Sequence, residues 1–282
     1  MPSGLPILRS VEDLRRHMRP WRQQGLRTAL VPTMGALHAG HVALVAEGLR
    51  RAERVVVTIF VNPAQFGPNE DFSRYPRNEE ADAEMLAEAG VHLVFAPEPD
   101  EIYPAGFSTT VSVAGPARVG LEDRFRPHFF GGVATIVAKL FIQAGADFAM
   151  FGEKDYQQLK VVTRMARDLD IATEIIAVPT LREPDGLAMS SRNAYLSSRD
   201  RATAPLLYRC LSEAAEAIRS GTPPPEAART ARDGLAAAGF EVDYVAARNA
   251  ETLEEPRGPG EPIRILSAAW LSGTRLIDNL GL

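Results

Sequence analysis

The chain has 282 residues, 45% of them hydrophobic and 24% charged, with 31 Lys and Arg against 36 Asp and Glu for a net charge of -5. That is enough chain to bury one large core or two smaller ones. The mild acidity argues against a nucleic-acid-binding surface, and a single cysteine, Cys210, excludes an intrachain disulfide and a cysteine-rich metal site.

In chain order, the opening stretch MPSGLPILRS has no signal-peptide pattern, and no apolar run is long enough for a membrane span. The expected address is therefore the cytoplasm, with no membrane partner. Thr28–Val31 predicts a short strand, and Pro32–Gly40 a loop that feeds a helix starting near Gly40-His41 and running through Val42–Ala52. Arg54–Asn62 (RVVVTIFVN) is β-branched and nearly continuous, as in a strand buried on both faces. Glu79–Ala89 predicts a helix closed by Gly90, and Val91–Ala96 a strand. Val133–Ala144 predicts a helix, Asp147–Phe151 a strand, Tyr156–Asp168 a helix and Glu174–Val178 a strand. The alternation predicts an α/β fold, a Rossmann-type doubly wound parallel sheet over residues 1–180. From about Leu181 the texture changes. Arg182–Arg192 is polar and turn-rich, Arg199–Ser220 predicts one long amphipathic helix, and Pro225–Ala238 another. Cys210 reads as a small core residue of the first of these. Phe240–Ala246, Ile263–Trp270 and Thr274–Asp278 read as strands, giving a smaller α+β C-terminal domain over 181–282.

The residues that carry chemistry follow strands directly, where open parallel sheets bind ligands. PTMGALHAGH (Pro32–His41) follows the first. Gly35 can supply positive φ or let a ligand approach the backbone. A helix N-terminus offers unpaired N–H groups to a phosphate. His38 and His41, three apart, point the same way on a helical turn and can donate to a phosphoryl transition state. The chain has neither G-x-x-x-x-G-K-[ST] nor G-x-G-x-x-G. A zinc site from the two histidines lacks a nearby third ligand, and the metal ligands stay unknown. In FVNPAQFGPNEDFSRYPR, Asn62 and Gln65 bring amides that bind hydroxyl and carboxylate groups without added charge, whereas Asn69-Glu70-Asp71 reads as solvated loop. In FGEKDYQQL, Gly152 permits a tight turn, Lys154 can neutralise a phosphate, Asp155 can cap the next helix and Gln158 follows three residues on. In GLAMSSRNAYLS, Ser190, Ser191 and Arg192 form a compact anion-binding set.

These clusters, with GTRLIDN (Gly273–Asn279) near the end, closely resemble the pantoate–β-alanine ligase (pantothenate synthetase) family over most of the chain. H-x-G-H alone marks only a superfamily of nucleotidyl-transferring enzymes, and another such nucleotidyltransferase acting on a small acid or phosphate is the alternative. The resemblance implies a C-terminal lid domain, a homodimer and Mg2+-ATP as cosubstrate. It implies a pantoyl adenylate from ATP and pantoate, then attack by the amine of β-alanine. It places Met34, Gly35, Ala36, Leu37, His38, Ala39, Gly40 and His41 at ATP, with His41, His38 and Lys154 catalytic. Gly152, Glu153, Lys154, Asp155, Leu181, Met189, Ser190, Ser191 and Arg192 would also meet ATP, Leu181 through its backbone. Gln65 and Gln158 would hold pantoate together with Asn62, and Gln65 would also meet β-alanine. The chain departs from the family pattern R-P-G-H-F-x-G-V at Arg126–Val133, where the histidine comes one place early as His128 and Phe129 takes its slot. It departs again at Ile142, where the family often has Asn. An aminoacyl-tRNA synthetase would share H-x-G-H but needs an RNA-binding surface that the charge balance does not suggest. A regulatory nucleotide-binding module would leave Gln65 and Gln158 unexplained.

Overall fold

The computed structural model describes residues 4–68, 70–258 and 260–282. The chain forms two compact units: 1–114, 126–153 and 158–179 make the first, and 115–125, 154–157 and 180–282 the second.

The first unit is built on a parallel sheet of β1 (Ile7–Leu8), β2 (Thr28–Thr33), β3 (Arg54–Ile59), β4 (Leu93–Phe95), β5 (Phe148–Gly152) and β6 (Glu174–Val178). The strand order is β1-β4-β3-β2-β5-β6. Its helices are α1 (Val11–Gln23), α2 (Ala39–Arg51), α3 (Glu79–Glu88), the short α4 (Pro99–Ile102), α6 (Phe129–Ala144) and most of α7 (Tyr156–Asp168). The short α5 (Glu122–Phe125) belongs to the second unit. Ala29, Leu30, Val31, Val55, Val56, Val57, Leu93, Val94 and Phe95 are all fully buried. Strands covered on both faces explain why β2 to β4 read as unbroken apolar runs rather than alternating ones. Each Val, Leu or Phe among them contributes about 1.5 to 3 kcal/mol of burial. From β2 the chain steps outward to β3 and β4, then returns to lay β5 on the other side of β2. The strand order thus reverses between β2 and β5, and in open sheets of this kind ligands bind beyond the carboxyl ends of the strands at such a point.

Helix α1 went unread in the sequence, although Ser10 and Asp13 announce it. The Ser10 hydroxyl accepts from the Asp13 amide at 3.1 Å. Helix α2 begins at Ala39, slightly ahead of the expected start, because His38 itself is the N-cap.

The second unit has an antiparallel sheet, β7 (Glu241–Asn249), β8 (Ile263–Leu271) and β9 (Thr274–Gly281), in that order. The single long helix expected over Arg199–Ser220 is instead two, α8 (Ser198–Thr203) and α9 (Leu206–Arg219). Pro205 has no N–H to continue the first, so the chain turns there. Helices α9 and α10 (Pro224–Ala237) pack Leu211, Ala214, Ala215, Ala227, Ala228 and Ala231 with Ala247 and Ile265. Cys210, expected in the core, is half-buried and packs against this cluster and the one around Leu207, Leu235 and Phe240. Burial pushes its thiol up.

Within this unit a buried ionic network holds the segment before α6. Arg275 donates from Nη1 and Nη2 to Glu122 at 2.8 Å each and from Nε to Asp243 at 2.8 Å. The Tyr244 hydroxyl donates to Glu122 at 3.0 Å. Burial and the adjacent Glu122 charge push the Tyr244 phenol well above its ordinary value.

Candidate active site

In the first unit the two-histidine stretch lies at the switch point, where β2 gives way to α2. Gly35 has φ +76° and Ala36 φ +52°. A Cβ on Gly35 would also stand 2.9 Å from Asp82 Oδ2, so the position needs glycine for conformation and for space. Asp82, on α3, accepts from the Ala36 amide at 2.9 Å and the Leu37 amide at 2.8 Å. Burial raises its carboxyl above the usual range even though both backbone donors pull it down. The Thr33 hydroxyl donates to Thr58 O at 2.6 Å and accepts from the Gly35 amide at 3.2 Å. The turn is therefore held from both ends.

The two imidazoles cap the helix for each other. The Gly40 amide donates to His38 Nδ1 at 3.1 Å, and the His38 amide donates to His41 Nδ1 at 3.3 Å. A backbone N–H can only donate, so both neutral rings carry their proton on Nε2. The ring centroids are 4.2 Å apart. The motif thus makes two oriented Nε2–H donors beside the positive end of a 13-residue helix.

Asn62 and Gln65 frame the short 3₁₀ turn Pro63–Gln65 after β3 and are nearly inaccessible. Asn62 Nδ2 donates to Gln65 Oε1 and to Gly132 O, each at 3.2 Å. Asn62 Oδ1 accepts from the Tyr103 hydroxyl at 2.7 Å and the Ala64 amide at 3.3 Å. Burial lifts the Tyr103 phenol to about 12, so it stays a donor at any ordinary pH. Gln65 Nε2 reaches Met34 Sδ at 3.0 Å and so links this turn to the two-histidine stretch. A Cβ on Gly132 would come within 2.3 Å of Ala64 O, and the bare Gly132 lets α6 seat the turn.

The loop that follows is clasped by Arg126. Its guanidinium meets Glu70 through Nε at 2.9 Å and through Nη2, donates to Gln65 O at 3.3 Å, and lies 3.8 Å over the Phe129 ring. Phe129 is buried beneath it, and His128 Nε2 stands 3.7 Å from Glu70. The segment read as solvated loop is therefore tied down at Glu70, while Asn69 lies outside the described residues. Ile142 is 65% exposed on α6. Gly152 and Glu153 leave the carboxyl end of β5, and Gln158 is half-buried on α7.

In the second unit Lys154 and Asp155 lie in the 3₁₀ turn Glu153–Asp155, which runs straight into α7, with Lys154 Nζ 3.8 Å from Asp155. Within the stretch Arg182–Arg192, read as turn-rich, and at Leu181 before it, residues 181–189 form a small hairpin with an Arg182–Ala188 bridge, and the Met189 amide donates to Leu181 O at 3.0 Å. The hairpin leads into the 3₁₀ turn Ser191–Tyr195, whose N-cap Ser190 accepts from the Arg192 amide at 3.3 Å. Ser190, Ser191 and Arg192 thus share one half-buried turn.

Asp82, Gly132 and Tyr103 support these residues and were not read from the sequence. Asp82 is 46 residues from Ala36 and carries no local signal. Gly132, in a Gly-Gly pair before a helical run, has the sequence mark of a close backbone approach.

A sequence model described as Pantoate-beta-alanine ligase matches residues 6–281. Pantothenate synthetase of Caulobacter vibrioides is 58% identical over 280 residues, covering 97% of each chain. That of Rhodopseudomonas palustris (strain BisA53) is 56% identical over 275 residues, again covering 97% of each. Among solved structures, pantothenate synthetase from Thermus thermophilus superposes with a TM-score of 0.91 at 46% identity, covering 98% of this chain and 99% of that one. The pantoate-β-alanine ligase of Francisella tularensis, complexed with β-γ ATP and β-alanine, superposes with a TM-score of 0.81 at 31% identity, covering 99% and 98%.

Proposed function

The chain belongs to the pantoate–β-alanine ligase family and is an ATP-using enzyme that joins pantoate to β-alanine, and we propose that it does so through a pantoyl adenylate. A carboxylate is a poor acyl donor because its leaving group would be oxide. Attack of the pantoate carboxylate on the α-phosphate expels pyrophosphate and replaces that leaving group with AMP. The β-alanine amine then attacks the acyl carbon, the C–O bond to AMP breaks, and pantothenate leaves after the nitrogen loses its proton.

The observation that carries this reading is the reciprocal histidine cap, with both Nε2–H groups at the start of α2. Negative charge gathers on the α-phosphate oxygens as the first bond forms. His38 and His41 supply donors fixed before the reaction, and Lys154 supplies positive charge. Met34–His41, Gly152–Asp155, Leu181, Met189 and Ser190–Arg192 bind ATP in this scheme, the two serines and Arg192 taking the β- and γ-phosphates. Gln65 and Gln158 hold pantoate, and Gln65 also meets β-alanine. Asn62, expected on pantoate, acts through Gln65 instead, because its own amide is already committed to four partners. Among the described residues no group of three or more His, Cys, Asp or Glu could hold a metal ion. In this scheme Mg2+ would enter with ATP and would supply charge neutralisation at the phosphates. The C-terminal unit takes the lid role that the resemblance implies, and the enzyme is a homodimer. A cytoplasmic address fits a chain with one cysteine and, among its described residues, no helix long and apolar enough to cross a membrane.

Single-turnover pyrophosphate release from ATP and pantoate, with β-alanine left out, tests the scheme. A pantoate-dependent burst is expected. Release only when β-alanine is added would overturn the separate adenylate step. Nucleotide left attached to the product would favour the nucleotidyltransferase alternative.

A further inference from the structure

GTRLIDN is the one sequence motif to which the scheme above gives no part. Its last two residues, Asp278 and Asn279, lie on β9 and are 3% and 4% exposed. Neighbours on a strand point to opposite faces, so one dipeptide can serve two separate segments.

Asn279 serves the turn that carries Lys154. Its Nδ2 donates to Lys154 O at 2.8 Å. The amide orientation is not arbitrary: Arg264 Nε, which can only donate, meets Asn279 Oδ1. Arg264 also lies 3.6 Å over the Tyr156 ring, and the Tyr156 hydroxyl donates to Ala250 O at 2.8 Å. Asp278 serves the other segment. It takes the Arg182 guanidinium fork-to-fork, at 2.6 and 2.9 Å. Arg182 also donates to Gly186 O at 3.1 Å and lies 3.8 Å over the Tyr208 ring. That fixes the hairpin which delivers Ser190, Ser191 and Arg192.

A buried ion pair adds little net stability over apolar residues of the same shape, since desolvation offsets the attraction. What it supplies is direction, because a bidentate pair accepts one geometry. We propose that Asp278 and Asn279 are positioning residues for ATP: Asn279 sets the main chain at Lys154, and Asp278, through Arg182, sets the Ser190–Arg192 turn. The proposal rests on the assignment of those two segments to ATP.

Asn279→Asp and Asp278→Asn in the full chain test it. Each keeps size and shape. Asn279→Asp keeps the acceptor for Arg264 but loses the donor to Lys154 O, and Asp278→Asn loses half the fork. Kd for ATP by calorimetry, KM for ATP and for β-alanine, kcat and Tm are measured together. Loss of one buried directional bond corresponds to about a ten-fold rise in Kd and KM for ATP. KM for β-alanine should stay within about two-fold. A merely structural role would lower Tm and leave ATP affinity unchanged in the folded fraction, and that result overturns the proposal. Should either variant not fold, Arg182→Lys keeps the charge but not the fork and should still weaken ATP binding about three-fold; wild-type affinity there overturns the Asp278 arm. ATP binding by the unmodified protein is the control. Its absence removes the ATP assignment and the proposal with it, whereas normal control binding with unmoved variants removes the proposal alone.

Discussion

His41 caps α2 and, in the proposed scheme, also meets phosphate. Nδ1 accepts from the His38 backbone, and the same bond leaves the proton on Nε2, the donor that the scheme directs at the α-phosphate. His41→Ala should therefore lower kcat by at least about 10²-fold, the scale of a lost transition-state donor. The lost cap should cost about 1 kcal/mol of stability. The two effects separate in His41→Asn, whose side-chain oxygen can still take the backbone bond: stability should return and kcat should not. Steady-state kinetics and thermal unfolding of both variants check this, with pantoate KM near normal. A normal kcat in His41→Ala would remove the role given to the ring. This residue-level logic is only half visible in the sequence. The spacing of His38 and His41 shows that they share a helical turn. The reciprocal cap, and with it the tautomer, comes from φ -147° at His38, which three letters of sequence do not specify.

At the scale of elements, the 3₁₀ turn Pro63–Gln65 and the loop after it are held by contacts from distant parts of the chain. Helix α6 presses Gly132 against Ala64, and a methyl group there would meet backbone that cannot rotate away. Gly132→Ala should displace the turn, cost about 1 to 3 kcal/mol by overpacking, and raise pantoate KM through Gln65. Thermal unfolding and KM for each substrate check it, and a change in ATP KM alone would contradict the route through Gln65. The loop clasp gives a prediction in pH. Burial raises the Glu70 carboxyl, but the Arg126 hydrogen bonds and charge, with His128 beside them, bring it below its ordinary value of 4.5. A carboxylate with a lowered native pKa contributes stability above its unfolded pKa and loses it as pH falls through the native value. The difference in Tm between wild type and Glu70→Gln should thus be constant above about pH 5.5 and shrink as pH falls below about 4.5. A difference that did not change with pH would mean that the Glu70 charge plays no part in the clasp.

For the whole molecule, the legible part was what local pattern fixes. β-branched runs such as Arg54–Ile59 mark buried strands wherever they occur, and alternation with helices implies the parallel sheet. The clusters after those strands could be placed at its carboxyl edge from their order alone. The illegible part was what distance hides. Asp82 and Tyr103 support the site from 46 and 41 residues away, with no periodicity to announce them. The break at Pro205 is masked in the sequence because the apolar spacing continues across it, although proline's missing N–H is itself a local signal.

The second unit is assembled from three stretches of chain, 115–125, 154–157 and 180–282. That has a consequence for synthesis on the ribosome. Glu122 must wait for Arg275, 153 residues later, before its buried charge is paired. At ordinary rates of translation that is roughly 8 to 30 s. The Lys154 carbonyl waits similarly for Asn279. Until the last strand emerges, the early segment is better off hydrated than buried, since an unpaired carboxylate is costly in an apolar interior. Growth of the nascent chain thus delivers β2 to β6 first, and last the strand whose Asp278 and Asn279 anchor the Arg182 hairpin and the Lys154 turn. A ribosome that stops short of β9 releases a chain with its parallel sheet complete in sequence and its Lys154 turn unanchored.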